Sequence, residues 1–151
     1  MDNKLNVSQK FFTILLPFCG GYFLSYLFRS TNAVIAPDLV SEFNTNAQQL
    51  GILTSSYLFA FAVFQIPLGI LLDKYGARKA QIVLMIFAGL GSLMFSYGNS
   101  ILELTIARAI IGFGVAGCLM STFKIITVWY NKNNWPILYG LCLSSGGLGA
   151  I

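Results

Sequence analysis

Between Leu50 and Leu102 the chain carries two long apolar runs, and every charged residue of that interval falls in one short stretch between them, Gly69-Ile70-Leu71-Leu72-Asp73-Lys74-Tyr75-Gly76-Ala77-Arg78-Lys79. An uncharged run of about 20 residues or more is long enough to cross the hydrocarbon of a bilayer as a helix. The charged stretch is therefore a short loop between two membrane helices. Lys74, Arg78 and Lys79 outnumber Asp73 there, and short loops rich in Lys and Arg stay on the cytoplasmic side. That one loop orients every other segment.

Composition agrees with the bilayer as solvent. Of 151 residues, 56% are hydrophobic and 9% charged, whereas a soluble domain has about a quarter of its residues charged. The net charge of +4 lies between apolar runs rather than along a stripe or tail, so it reads as topology and no nucleic-acid partner is expected. The sequence has no histidine, and Cys19, Cys118 and Cys142 stand singly inside apolar stretches, where cysteine behaves as a small hydrophobe. No metal and no cofactor are expected.

In order, the predicted spans are about 11–36, 50–72, 80–102 and 103–128, with a partial fifth at about 136–151. The first carries Pro17, Gly20 and Gly21, tolerated in membrane helices, and an acidic loop is expected from Pro37 through Asp38 and Glu42 to about Gln49. In the third, Ala88, Ser92 and Ser96 recur at steps of four, a small-residue face for close helix approach. Trp129 and Tyr130 end the fourth as interfacial aromatics do. On this topology Lys4, Lys10, Lys74, Arg78, Lys79 and Lys132 lie inside, and the outer loops hold no Lys or Arg. The expectation is a multi-pass protein of the cytoplasmic membrane with its N-terminus inside. The fifth run stops 15 residues after Pro136, short of a full crossing, and a truncated chain is expected.

Three spans contain polar groups that need an explanation. In the first, Tyr22, Ser25, Tyr26, Arg29 and Asn32 fall within an arc of about 120° of a helix. Arg29 lies seven residues before Ala36, roughly 10 Å below the outer end, and an intramembrane charge costs at least ~2.5 kcal/mol. It either lines a central cavity and offers its fork of donors to a carboxylate or phosphate, or it pairs within the bundle or reaches the headgroups. In the second, Thr54, Tyr57, Phe61 and Gln65 share a face that either borders the same cavity or sits in a helix interface. In the fourth, Arg108 is a cavity residue or a structural one paired with Glu103, and Lys124 snorkels to the inner surface. Gly112-Phe113-Gly114-Val115-Ala116-Gly117 matches a dinucleotide fingerprint in form only. No strand pattern precedes it and no acidic residue follows Glu103, so the glycines read as close-approach positions between helices.

The charged loop resembles the Gly-x-Leu-Ala-Asp-Arg-x-Gly-Arg-Lys signature of the major facilitator superfamily. Gly69, Leu71, Asp73, Lys74 and Gly76 are in register, and Ala77 displaces the final basic pair to Arg78 and Lys79. Arg108, Gly112 and Gly114 resemble the family's Arg-x-x-x-Gly-x-Gly pattern on helix four. Arg29 to Pro37, Leu50-Gly51-Ile52-Leu53 and Gln65-Ile66-Pro67-Leu68-Gly69 are similar to the anion:cation symporter branch, although Phe28 replaces the Asp that usually precedes the arginine. The resemblance implies an all-α polytopic bundle, namely the first four helices and part of a fifth of an N-terminal six-helix half.

It also implies a secondary transporter working by alternating access, with Arg29 on an anionic solute. The candidate solute contacts are Arg29, Asn32, Tyr26, Tyr57, Gln65 and Arg108. The candidate gate comprises Gly69, Asp73, Gly76, Arg78 and Lys79, with Asp73 meeting a helix end of a C-terminal half that the chain lacks. The partners implied are a small, anionic solute, the lipid bilayer and that missing half. The rival reading is a truncated or interrupted-gene membrane protein without transport of its own. A membrane enzyme is not expected, since no paired carboxylates and no nucleophile beside a base occur.

Overall fold

The computed structural model describes residues 11–151, and its regular structure there is entirely helical. Lys4 and Lys10 lie outside the described residues. A π-helical turn, Phe11–Leu15, leads into α1 (Leu16–Phe43), followed by α2 (Ala47–Tyr75), α3 (Ala77–Tyr97), α4 (Ile101–Val115), α5 (Cys118–Trp129), a 3-10 turn Lys132–Asn134, and α6 (Trp135–Gly149). Among the described residues, four stretches are long and apolar enough to cross a membrane: Phe11–Phe43, Ala47–Tyr75, Ala77–Tyr97 and Ile101–Trp129.

The helix ends follow local chemistry. α1 does not stop at Pro37, where a loop was expected, but runs to Phe43. Ala33 is exposed, so its carbonyl, which Pro37 leaves without a helical donor, is not trapped in the core. Leu39 also docks beside Leu53 and Leu104, with Ile35 and Phe43 against them. The helix ends at Asn44, which adopts the left-handed conformation at φ 50°. α2 then opens with a capping box, in which Asn46 Oδ1 accepts from Gln49 N–H at 2.9 Å while Gln49 Oε1 accepts from Asn46 N–H at 3.0 Å.

One residue separates α2 from α3. Gly76, at φ 79°, caps both, and that backbone conformation favours glycine. Arg78 and Lys79 thus stand in the first turn of α3 rather than in a loop. Ser100 begins α4 by accepting from Glu103 N–H at 3.3 Å, and Glu103 in turn accepts from Asn99 N–H at 2.8 Å.

The fourth crossing is the middle of the bundle. In its most apolar window 61% of residues are buried, against 17–33% in the other three spans. α4 packs chiefly on α2 and α3, and α6 packs on α1. Glycine makes the approach possible: a Cβ on Gly112 would collide with the Tyr57 carbonyl, and one on Gly114 with the backbone of Ala88. The small-residue face of α3 is used at Ala88 and Gly91, both buried, whereas Ser96 is exposed. Cys19, Cys118 and Cys142 are free thiols in one apolar core cluster.

Candidate functional site

The polar face of α1 is shared between two helices, with Ser25, Arg29 and Asn32 reaching α2 and the Tyr22 and Tyr26 rings lying against Gly146 of α6. Tyr22 and Ser25 are buried, the Tyr22 and Tyr26 rings meet edge to face at 5.1 Å, and Tyr57 O–H crosses from α2 to donate to the Ser25 carbonyl at 3.2 Å. Two turns further along α1, Asn32 Nδ2 donates to Thr54 Oγ1. Between these two cross-links lies Arg29. Its guanidinium carbon is 5.2 Å from the centre of the Tyr26 ring and 5.4 Å from that of Phe61, and the negative faces of the rings hold the cation without neutralising it.

Arg29 borders two cavities. One, of about 110 Å³, is lined by Phe28, Arg29, Asn32, Thr54, Tyr57, Leu58 and Arg108. The other, of about 230 Å³, is lined by Tyr22, Ser25, Tyr26, Arg29, Phe61, Val115 and Leu119. Neither wall contains a carboxylate, and among the described residues the ion pairing is confined to Lys124 and Asp73. Arg29 is therefore a cation between aromatic faces with its donors available.

Arg108 is a different kind of arginine. It is 3% exposed, donates through Nη1 to the Phe28 carbonyl at 2.8 Å, and stacks 4.9 Å from the Phe95 ring. It does not pair with Glu103, whose carboxylate caps the start of α4. Arg108 Nε and Asn32 Oδ1 have no protein hydrogen-bond partner, and both residues line the smaller cavity. Both atoms are themselves buried, so neither is presented to the open space of that cavity.

Five of the six expected solute contacts, Arg29, Asn32, Tyr26, Tyr57 and Arg108, gather around these spaces. Gln65 does not. It lines neither cavity, and its Nε2 donates to the Ala116 carbonyl at 3.1 Å, at the break between α4 and α5. Phe28, Thr54 and Leu58 are wall residues not among the expected contacts; Thr54 shares the α2 face of Tyr57, while Phe28 contributes through its backbone.

At the other end of α2, Asp73 Oδ1 meets Lys124 Nζ of α5, the carboxylate side chain 81% and the ammonium side chain 31% exposed. Lys124 was expected to snorkel to the inner surface; its ammonium meets the exposed Asp73 carboxylate and so ties α5 to the charged corner. Gly69 faces open space, so it serves no close contact there.

Four apolar spans around a polar, cation-bearing seam define a multi-pass helical membrane protein. The Major Facilitator Superfamily profile matches residues 18–151, and the chain belongs to that family of transporters rather than to an enzyme family. It is 31% identical over 136 residues to a probable sulfoacetate transporter, SauU, of Cupriavidus necator, covering 90% of this chain and 32% of that protein. It is 28% identical over 140 residues to a hexuronate transporter of Bacillus subtilis, again covering 90% and 32%. A vacuolar basic amino acid transporter of Saccharomyces cerevisiae is 33% identical over 115 residues, 76% of this chain and 20% of that protein. The chain spans about a third of the length of the first two relatives.

Proposed function

We propose that the chain is the N-terminal part of a secondary transporter for a small organic anion, with Arg29 as the primary solute contact. The single observation that carries this reading is the state of Arg29, a cation shared by two cavities with no carboxylate in either wall. A guanidinium so held recognises a carboxylate, sulfonate or phosphate by paired hydrogen bonds. Tyr26, Tyr57 and Asn32 shape the seat around it, and Arg108, fixed on the Phe28 carbonyl, adds positive potential. Two of the named relatives handle acids and the yeast relative a basic amino acid, so the sign of the solute rests on the cavity rather than on similarity.

Alternating access needs a second half rocking against this one. The proposal therefore assigns transport to these helices together with further ones, and binding alone to the 151 residues. It locates the protein in the cytoplasmic membrane with the N-terminus and the Asp73 corner inside, where the corner acts as part of a gate, and it leaves the coupling as symport with a cation. The test is uptake into proteoliposomes by the full-length transporter, screened over mono- and dicarboxylates, sugar phosphates and neutral solutes. Arg29→Lys should raise KM for the accepted anion by roughly tenfold or more, the value of a charge-assisted pair, while the protein still reaches the membrane. Unchanged uptake kinetics in that variant would refute the assignment.

A further inference from the structure

The fourth crossing is broken in mid-membrane. α4 ends at Val115, α5 begins at Cys118, and the ladder between them is irregular: Ala116 N–H donates three residues back to Phe113 at 3.3 Å, and regular bonding resumes only where Ser121 N–H donates to Gly117 at 2.9 Å. Among the described residues the Ala116 carbonyl takes no backbone N–H, although an unbroken helix would give it that of Met120. Its partner is Gln65 Nε2 at 3.1 Å. An orphan carbonyl at this depth needs a donor, and here α2 supplies one.

The break also sits where movement would matter. Val115, just before it, and Leu119, just after, both line the larger cavity with Arg29. Five residues beyond Leu119, Lys124 holds Asp73. We infer that Gln65 is a positioning residue of a hinge in the fourth crossing: its amide competes with Met120 N–H for the Ala116 carbonyl and so holds the helix in its broken form. The other form is a continuous helix in which Met120 takes that carbonyl. Changing from one to the other turns α5, with Leu119 and Lys124, relative to α4, with Val115, so the cavity wall and the ion pair at the cytoplasmic corner move together. A two-form element of this kind is what coupling between distant sites requires. The role in solute handling rests on the anion reading above, whereas the hinge itself does not.

The experiment compares the 151-residue chain in lipid nanodiscs as wild type, Gln65→Met, Gln65→Lys and Arg29→Lys, by amide hydrogen exchange resolved over residues 117–120 and by binding of sulfoacetate as the probe anion. In Gln65→Met, which keeps length and loses the donor, Met120 closes the ladder and exchange there slows by about five- to tenfold. Sulfoacetate affinity in that variant changes only together with the exchange at 117–120, because Gln65 touches neither cavity and acts on the wall through the turn of Leu119. Gln65→Lys restores a donor and wild-type exchange. Arg29→Lys weakens sulfoacetate binding by roughly tenfold or more and leaves exchange at 117–120 unchanged. Exchange that is unchanged or faster in Gln65→Met, with α1–α3 protected as in wild type, overturns the hinge, as does tenfold weaker sulfoacetate binding with unaltered exchange, which would make Gln65 a ligand. Sulfoacetate binding indifferent to Arg29 would remove the anion reading and leave the hinge standing.

Discussion

Gly112→Ala is the smallest change that should damage this bundle, and its size can be worked from the contacts. The added Cβ would strike the carbonyl oxygen of Tyr57 and lie 3.0 Å from both its carbonyl carbon and its Cα. Carbon atoms pack at about 3.5–4.0 Å, and what Gly112 meets is backbone of a helix, which has no rotamer to escape into. α2 and α4 must therefore separate by roughly half an ångström to one ångström, loosening contacts around Leu53, Leu104 and Ile111. Overpacking of this kind costs about 1–3 kcal/mol, offset by up to about 1 kcal/mol of improved helix propensity. Gly89→Ala on α3 is the matched control, since its Cβ would meet nothing within 4 Å, and it should be neutral or stabilising by up to about 1 kcal/mol. The assay is unfolding of the chain in mixed micelles, followed by circular dichroism against increasing SDS. Gly112→Ala should unfold at a clearly lower SDS fraction than Gly89→Ala; coincident midpoints would show that α2 and α4 are not in backbone contact.

Two further changes separate structural charge from exposed charge. Arg108→Leu removes the donor to Phe28 and the stack on Phe95, and should destabilise the chain by about 1.5–3 kcal/mol in the same assay. Asp73→Asn breaks an ion pair whose carboxylate is largely exposed, so it should move stability by less than about 1 kcal/mol while shifting the balance between inward- and outward-open forms of the full-length transporter, measured by accessibility of cysteines placed on either face. A large loss of stability would make the corner a structural rivet instead.

Much of this architecture is legible in the residues, because hydrocarbon thickness imposes a length that apolar runs reveal directly. The seam at Arg29 is legible for a related reason: five polar residues at helical spacing in an apolar span must face protein or water. Neighbours are harder to read than faces. Gln65 shares the α2 face of Tyr57, but eight residues at 1.5 Å each set it roughly 12 Å further along the helix, level with the α4 break rather than with Arg29. Periodicity gives the direction of a side chain and leaves its depth partner open. The continuation of α1 past Pro37 is hidden likewise, since Leu39 and Phe43 become helix-stabilising only once Leu53 and Leu104 are beside them. Asn46 and Gln49, by contrast, spelled a capping box that pattern reading passed over in favour of the acidic residues before it. The break at Ala116–Gly117 was masked because its glycines had already been explained as packing positions.

The central place of the fourth crossing bears on how the chain is made. α1 packs chiefly on α6, and α2 and α3 find their main packing partner in α4 rather than in each other. A ribosome that has delivered only the first three helices has released segments with little to grip, joined by side-chain bonds such as Asn32 to Thr54. The bundle becomes a defined object when Gly112 and Gly114 enter the bilayer and slot against Tyr57 and Ala88. The fold thus has a late keystone, and the fourth crossing is the segment whose arrival turns separate spans into a bundle.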